Sequence, residues 1–521
     1  MTFRYDGFLM VNGNKRKIIV VGAGPGGLAC GMLLVRRGFD VTVLEKAPRV
    51  GGRNAAIQEK GFIFDTGPTF LMMKFILDEI FEDSGKSTAD YLEFRRLDPL
   101  YRLTFGHGGK TLLVPDSVED KIRAVESVFP GEAQGLRLFL EKEKTRFEKL
   151  YPCIQQDYSS LTRFFSWKLM SALPYLGLFQ SVYGTLGKYF HKDSLKLAFS
   201  FQSKYLGMAP WNCPALFTML SFIEHRYGIY HVMGGLNRIS QSMAQIIEEA
   251  GGRVLTGSPV AELVLNRKIV TGVRLDSGEI LNADEVVVNA DFAHAMTSLV
   301  PRGVLRKYTP ENIRRMKYSC STVMLYLGIN RQYAHLSHHN IFFAENYKQG
   351  IENIFSGKTQ GDDFSFYIQN PYGTDSSLAP EGKSTLYVLV PAPNNKSALD
   401  WNTIGKSYRD LIMQKLQSVA GLTDLEDAIE VEKIVTPRDW QAKGSVFFGA
   451  TFNLSHIFPQ LLYRRPHNRF EELDRCYLVG GGTHPGSGLP TILESARISA
   501  NLISRKYGVP FRSPPPLGER A

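Results

Sequence analysis

With 521 residues, 44% of them hydrophobic and 21% charged, the chain is a folded globular protein of two or three domains, which excludes disordered and fibrous classes. Its five cysteines (Cys30, Cys153, Cys213, Cys320, Cys476) form no C-x-x-C pair and join no histidine cluster, arguing for a reducing compartment and against a structural zinc site, and no metal is expected. The net charge of +10 would suit nucleic acid or an anionic membrane, but no basic run or RNA-binding signature occurs, so nucleic acid is set aside.

Residues 1–14 read as a polar, mobile leader. Ile18–Val21 is an apolar run suited to a strand buried on both faces. Gly22, Gly24 and Gly27 follow in G-x-G-x-x-G spacing, and a helix is expected from about Gly26 to Arg37. The first glycine permits the tight turn, the second lets backbone approach a pyrophosphate, and the third lets the helix pack on the strand. The helix start points free N–H groups and its positive dipole end at the phosphates. A second strand, Val41–Leu44, ends at Glu45, whose carboxylate can accept hydrogen bonds from ribose hydroxyls. Strand, glycines, helix, strand and acid at these offsets predict dinucleotide binding. Lys15–Lys17 before an apolar stretch imitates a secretory signal, but that stretch is the cofactor turn itself.

Next comes Gly51-Gly52-Arg53, in which Arg53 could reach a phosphate bidentately. Gly61–Pro68 reads as a strand running into a tight turn. Residues 74–150 read as largely helical, with strand-like pieces at Tyr101–Phe105 and Thr111–Val114. Tyr158–Lys192 holds no Asp or Glu, yet carries Arg163, Lys168, Lys188 and Lys192 among nine aromatic rings including Phe165, Trp167 and Phe179. That mixture suits a helical pair in a membrane headgroup region and, equally, an aromatic layer over a substrate cavity.

From Gly234-Gly235 a helix is expected to about Ala250. Strands then follow at Arg253–Leu255, Val260–Leu265, Ile269–Leu275, Glu279–Leu281 and Asp284–Asn289, with a hairpin turn at Asp276-Ser277-Gly278. This predicts a three-stranded excursion before the chain returns to its main sheet. Ser321–Ile329 and Ser384–Val390 read as strands of a second, substrate-side sheet separated by loops near 355–383, and 402–420 as an amphipathic helix. Arg475–Val479 is again a buried strand, followed by Gly480-Gly481-Gly482-Thr483-His484-Pro485-Gly486-Ser487-Gly488 and a helix over Thr491–Ser504. A second glycine-rich turn thus aims a helix start at an electron-rich group. The Pro-rich tail reads as disordered.

These glycine blocks, Gly51-Gly52-Arg53 and the Val260–Asp291 excursion together resemble the FAD-dependent amine oxidase and carotenoid desaturase superfamily, from about residue 16 to residue 505. FDTGPTF (64–70), LYPCIQQDYSSL (150–161), FQSKYLGMAPWNCPALFTML (201–220), RPHNRFEEL (465–473) and THPGSGLPT (483–491) resemble the bacterial 4,4'-diapophytoene (dehydrosqualene) desaturases in particular. The resemblance implies an α/β fold with a Rossmann-like FAD-binding domain, built from 15–100, 230–300 and 470–505. It also implies a helical, membrane-facing region (101–229), a substrate-binding domain (301–469) and a disordered tail (506–521). It implies FAD, with Gly22, Gly24, Gly27 and Gly482 toward the pyrophosphate, Gly52 among the cofactor-binding residues, Glu45 toward the ribose and Arg53 toward a phosphate or the ribityl chain. Val260 would meet the adenine, and Gly488, Leu489 and Thr491 would lie beside the flavin ring.

The implied reaction is desaturation of a linear C30 isoprenoid, with a C40 phytoene substrate, oxidation of terminal methyl groups, and a non-redox carrier or isomerase as rival readings. His484 and Glu494 are the candidate proton-transfer residues, set against ordering of the turn and helix-start pairing. The flavin's final electron acceptor, oxygen or a quinone, is left open. No run of about 18 apolar residues occurs, so no spanning helix is expected. The protein is placed in the cytoplasm, peripherally on the inner face of the cell membrane, where so insoluble a substrate would be met.

Overall fold

The computed structural model describes residues 15–160, 165–515 and 517. The leader 1–14, and Arg163 of the acid-free segment, lie outside them. The first strand, β1 (Lys17–Val21), turns at Gly22 into helix α1 (Pro25–Arg36), which returns to β2 (Asp40–Leu44). Pro25 occupies the first helical position, where its missing N–H costs nothing, and Gly38 at φ 90° follows the helix end. Ten consecutive residues of α1, Gly26–Val35, are buried. The helix is enclosed by the sheet, by Asn237–Glu249 and by Leu489–Lys506, so no polar face is required.

β1 and β2 sit inside a five-stranded, all-parallel sheet in the order Cys476–Leu478, Glu285–Val288, β1, β2, Arg253–Leu255. The expected excursion is a separate antiparallel sheet of Val260–Asn266, Ile269–Leu275 and Ile280–Asn282, its turn closed by Gly278 at φ 89°.

The second large sheet has seven strands, in the order Ile429–Val435, Ser321–Ile329, Ser384–Ala392, Phe366–Gln369, His339–Phe343, Tyr101–Phe105, Thr111–Val114. Only Ser321–Ile329 and Ser384–Ala392 were expected here; Ile429–Val435 and His339–Phe343 were not read as strands, and three others differ from the sequence expectation. Phe366–Gln369 lies where loops were expected. Tyr101–Phe105 and Thr111–Val114, expected beside the helical region, extend this sheet's edge, although the next of its strands along the chain, Ser321–Ile329, begins 207 residues after Val114. Only the pairing of Asn340 with Arg102 and its neighbours, a contact far apart in sequence, reveals it.

Period-two alternation gives this sheet two faces. One carries Val323, Leu325, Leu327, Ile368, Leu386 and Val388 onto Trp401–Ser418. The other carries Tyr101, Leu103, Ile341 and Phe343 toward the helical layer of 133–227, and Met324, Tyr326 and Tyr387 toward Phe62 and Phe64.

The tail is a correction. Residue 506 still belongs to the closing helix. Beyond it Tyr507 packs on Phe39 and donates to Glu285, Val509 is buried, and Phe511 lies under the Arg37 and Arg505 guanidinium groups. Apolar and aromatic residues spaced two apart anchor it before the prolines begin.

Candidate functional site: a groove between two glycine turns

Both glycine turns converge on one residue that sequence reasoning did not single out, Asn289. Its Nδ2 donates to Gly22 O at 3.1 Å. A Cβ added to Gly24 would sit 3.0 Å from that Nδ2, and one on Gly480 would sit 3.3 Å from its Oδ1. Gly22 has φ 100°, and a side chain there would strike Asn289 O at 2.8 Å. The two turns are held at either end of one amide, with the first-turn N–H groups of α1 left without intrahelical acceptors.

Glu45 is buried at the end of β2. Its carboxylate accepts from Ala23 N at 2.8 Å and Ala47 N at 2.9 Å, so the first turn itself orients it. Its backbone accepts from Ser258 N, two residues before Val260, so the excursion sheet starts beside the acid. Glu45→Gln keeps the shape but removes charge from these hydrogen bonds. Flavin affinity should fall about 10-fold, roughly 1.4 kcal/mol, measured by fluorescence titration of the apoprotein.

Gly52, at φ 54°, lies against Gly24, since a Cβ would be 3.4 Å from Gly24 Cα. Arg53 is no free cation. Its Nη2 donates to Asp291 Oδ2 at 2.7 Å and its Nη1 to Thr451 O at 3.0 Å. With its amide set to satisfy both neighbours, Asn453 donates to Asp291 Oδ2 and accepts from Arg53 Nη1. Asn54 and Asn237 then tie the Gly51–Arg53 turn to the helix Asn237–Glu249, through Asn54 Nδ2 to Leu236 O at 2.9 Å and Asn237 Nδ2 to Asn54 O at 2.7 Å. The asparagines following V-V-V at 289 and following Arg53 were the signals available in the sequence.

The second turn is built on Arg465, which is fully buried. Its guanidinium donates to Thr483 O, Gln460 O, Leu454 O and Gly481 O, at 2.6 to 3.3 Å. Burial pulls its pKa down to about 9, and the four carbonyls stand where a counter-ion would. Asn468 Nδ2 donates to His484 O at 3.0 Å, and Thr483 Oγ1 to Pro466 O at 2.5 Å. Gly482 leaves no room for a side chain, as a Cβ would lie 2.5 Å from that of Phe292. Gly488, φ 117°, precedes Leu489 at the helix start, where Thr491 Oγ1 donates to Gly486 O and Gly488 O.

The two candidate proton-transfer residues lie behind this groove. His484 is buried edge-on to Tyr158, and burial, then Arg465, pushes its pKa down to about 3. Glu494, six residues into the helix rather than at its start, accepts from Tyr151 OH and Gln155 Nε2, both at 2.9 Å. It also sits 3.5 Å from Arg497, which pairs with Glu79. One of its oxygens is thus held in a buried network between helices, while Oε2 accepts no hydrogen bond.

The groove fits a dinucleotide. The absence of side chains at Gly22, Gly24 and Gly52 lets the turns close on one another, a helix start faces them, and the buried Thr451 Oγ1 beside Arg53 has no partner.

Comparisons with known proteins agree. The flavin-containing amine oxidoreductase family matches residues 25–504. A 4,4'-diapophytoene desaturase (4,4'-diapolycopene-forming) of Methylomonas sp is 55% identical over 96% of this chain and 97% of its own. An all-trans-zeta-carotene desaturase of Myxococcus xanthus is 37% identical over 95% and 94%. A 4,4'-diapophytoene desaturase (4,4'-diaponeurosporene-forming) of Staphylococcus haemolyticus is 32% identical over 93% and 98%. Putrescine oxidase bound to putrescine shares the fold, with a TM-score of 0.63 at 14% identity over 94% of this chain and all of the other. So does an oxidoreductase of Methanosarcina mazei, with a TM-score of 0.60 at 16% identity over 92% and 99%. The chain is thus a member of the flavin-containing amine oxidoreductase family, with the FAD-binding α/β fold of that family and FAD as its cofactor.

Proposed function

We propose that the protein is an FAD-dependent desaturase that introduces conjugated double bonds into a linear C30 isoprenoid, 4,4'-diapophytoene (dehydrosqualene) or squalene. The observation that carries this reading is the full-length 55% identity to the Methylomonas desaturase.

Gly22, Gly24, Gly27 and Gly482 would hold the pyrophosphate, with Gly52 beside them, Glu45 the ribose and Val260 the adenine. Arg53, fixed by Asp291, sets the charge next to the phosphate or ribityl chain, and Gly488, Leu489 and Thr491 lie beside the ring. Bound there, FAD supplies a two-electron acceptor able to take hydrogen with its bonding pair from carbon. The chain supplies the dry, apolar wall. Phe105 stacks on Phe343 at 5.1 Å, Phe201 meets Phe343 edge-on at 6.2 Å, and Tyr205 leans on Phe70 at 5.6 Å. Such faces exclude water and stabilise positive charge developing on an allylic carbon.

The substrate reaches this wall from a bilayer. No helix among the described residues is long and apolar enough to cross a membrane. The acid-free segment instead exposes Phe165, Met170, Leu173 and Leu178, with Trp167 84% and Phe179 fully exposed, beside the exposed Lys168 and Lys188. Apolar rings flanked by ammonium groups fit the headgroup boundary. Trp167→Ser with Phe179→Ser should weaken binding to anionic liposomes about 10-fold or more in a flotation assay, and unchanged flotation would remove this surface from the account.

Expression with squalene, 4,4'-diapophytoene or phytoene supplied separately tests the substrate class. A coloured C30 polyene is expected. Colour from phytoene alone would assign the C40 reaction, and a terminal aldehyde would assign the oxygenase.

A further inference from the structure

Making a double bond from a CH2–CH2 unit removes two hydrogens. One leaves with its electron pair to the oxidised flavin. The other leaves as a proton while its C–H pair becomes the new π bond, and that proton needs a base inside a dry cavity. Glu494 is held by Tyr151, Gln155 and Arg497, and His484 stands edge-on to Tyr158 beside the second glycine turn.

The aromatic face of the seven-stranded sheet contains one polar seam. His339 is fully buried, with Phe70 stacked on its ring at 4.0 Å and 15°. Its Nδ1 lies 2.8 Å from Tyr367 OH, which lies 2.8 Å from Thr69 Oγ1. Its Nε2 is buried without a partner. The seam begins at the cofactor groove. Thr69 is two residues past Gly67, whose backbone lies so close to Arg53 O that a Cβ would stand 2.2 Å away. Thr66 Oγ1 donates to the same carbonyl.

On the other side the His338 ring is 4.4 Å from His339 and 4.8 Å from His231. His231 Nε2 is 2.9 Å from Asp375 Oδ2, a carboxylate that also accepts from Gly234 N at 2.7 Å and Ser377 Oγ at 2.6 Å. Asp375 lines a cavity of about 290 Å³ at the surface. The row therefore runs from the cofactor side toward solvent.

We propose that His339 accepts at Nε2 the proton released in each desaturation, with Tyr367 and Thr69 as positioning residues and the Asp375 carboxylate, at the far end of the histidine row, as counter-charge. This rests on the desaturase reading above. When Nδ1–H donates to the Tyr367 oxygen and Tyr367 O–H donates to Thr69, the Nε2 lone pair is left free to take a proton. The Phe70 face then lies against the imidazolium, an arrangement that stabilises a cation. Burial, then His231, holds the His339 pKa well below the ordinary imidazole value. It is therefore neutral before the reaction and yields its proton to solvent between turnovers. Tyr387 and Asp65 also face the seam. Burial raises the Asp65 carboxyl to about 6.

His339→Ala, His339→Gln and Asp375→Asn, each as holoenzyme, test this. Mixed anaerobically with 4,4'-diapophytoene in liposomes, both His339 variants should bleach the flavin about 100-fold more slowly than wild type at unchanged flavin content. Added imidazole should partly restore His339→Ala. A second readout needs no turnover. In substrate-free protein, C2-hydrogen exchange of His339 followed by mass spectrometry should give a midpoint below the ordinary imidazole value, lowered further by Asp375→Asn. His339→Gln bleaching within threefold of wild type would overturn the proton acceptor. A midpoint indifferent to Asp375→Asn would overturn the counter-charge. Wild type that does not bleach would instead overturn the desaturase reading.

Discussion

Gly27→Ala should yield protein that purifies without flavin, its bound FAD reduced at least 10-fold and its stability lowered by about 2–3 kcal/mol. The added methyl would stand 2.2 Å from Gly22 O, 2.9 Å from Asn289 Nδ2 and 3.0 Å from Asn289 Cβ, all on backbone or on the amide that joins the two turns. Helix α1 cannot slide away to make room. Gly26 already sits where a Cβ would be 2.7 Å from Val479 and 2.8 Å from Ile492, and Gly31 where one would be 3.2 Å from Val43. The strain must therefore open the cradle itself. Gly405→Ala is the contrasting case, lying in the helix Trp401–Ser418 with nothing within 4 Å of the new methyl. There the helix preference for alanine should raise stability by about 0.5–1 kcal/mol. Absorbance of bound flavin and denaturant unfolding read both variants.

The second large effect is expected at Arg465. Arg465→Met preserves most of the side-chain volume but strands the carbonyls of Leu454, Gln460, Gly481 and Thr483 in a buried setting. Each such group costs about 1–3 kcal/mol, and partial relaxation leaves a net loss of about 3–5 kcal/mol. Arg465→Lys should recover little, because one ammonium cannot reach carbonyls arranged around a planar fork. Since these carbonyls define the Gly480–His484 turn, flavin content should fall together with the unfolding midpoint. A folded Arg465→Met protein with full flavin would show that the turn is held by the Asn468 and Thr483 contacts instead.

The cofactor half of the molecule was legible because its signals are local. Glycines at fixed spacing, an acid at the end of β2 and a second glycine turn each mark their own position. The structure adds Asn289, Asp291 and Asn453, which no spacing rule selects, because each acts on a turn distant in sequence. Arg53 shows the same limit: its type and place suggested a phosphate contact, while its geometry first requires Asp291. The substrate half was less legible for a related reason. Phe366–Gln369 is too short to display alternation against loops, and Tyr101–Val114 joins a sheet whose other strands lie more than 200 residues later. His339, His338 and His231 were unremarkable as single letters. They become a seam only when strand pairing sets His339 beside Tyr367, with His338 next to it and His231 against Asp375.

Glu494 illustrates how a residue near a functional turn can be structural. Its position near THPGSGLPT suggested chemistry, but helical periodicity turns it toward Tyr151 and Arg497, away from the groove.

The central claim, that a flavin held between the two glycine turns oxidises a C30 polyene precursor, is tested most directly by one measurement. Purified holoenzyme is mixed anaerobically with 4,4'-diapophytoene in liposomes, and the visible spectrum is followed. The account predicts loss of flavin absorbance together with the rise of a structured, longer-wavelength polyene band from the same sample. A flavin that stays oxidised with 4,4'-diapophytoene and squalene alike, in protein that binds both, would contradict it.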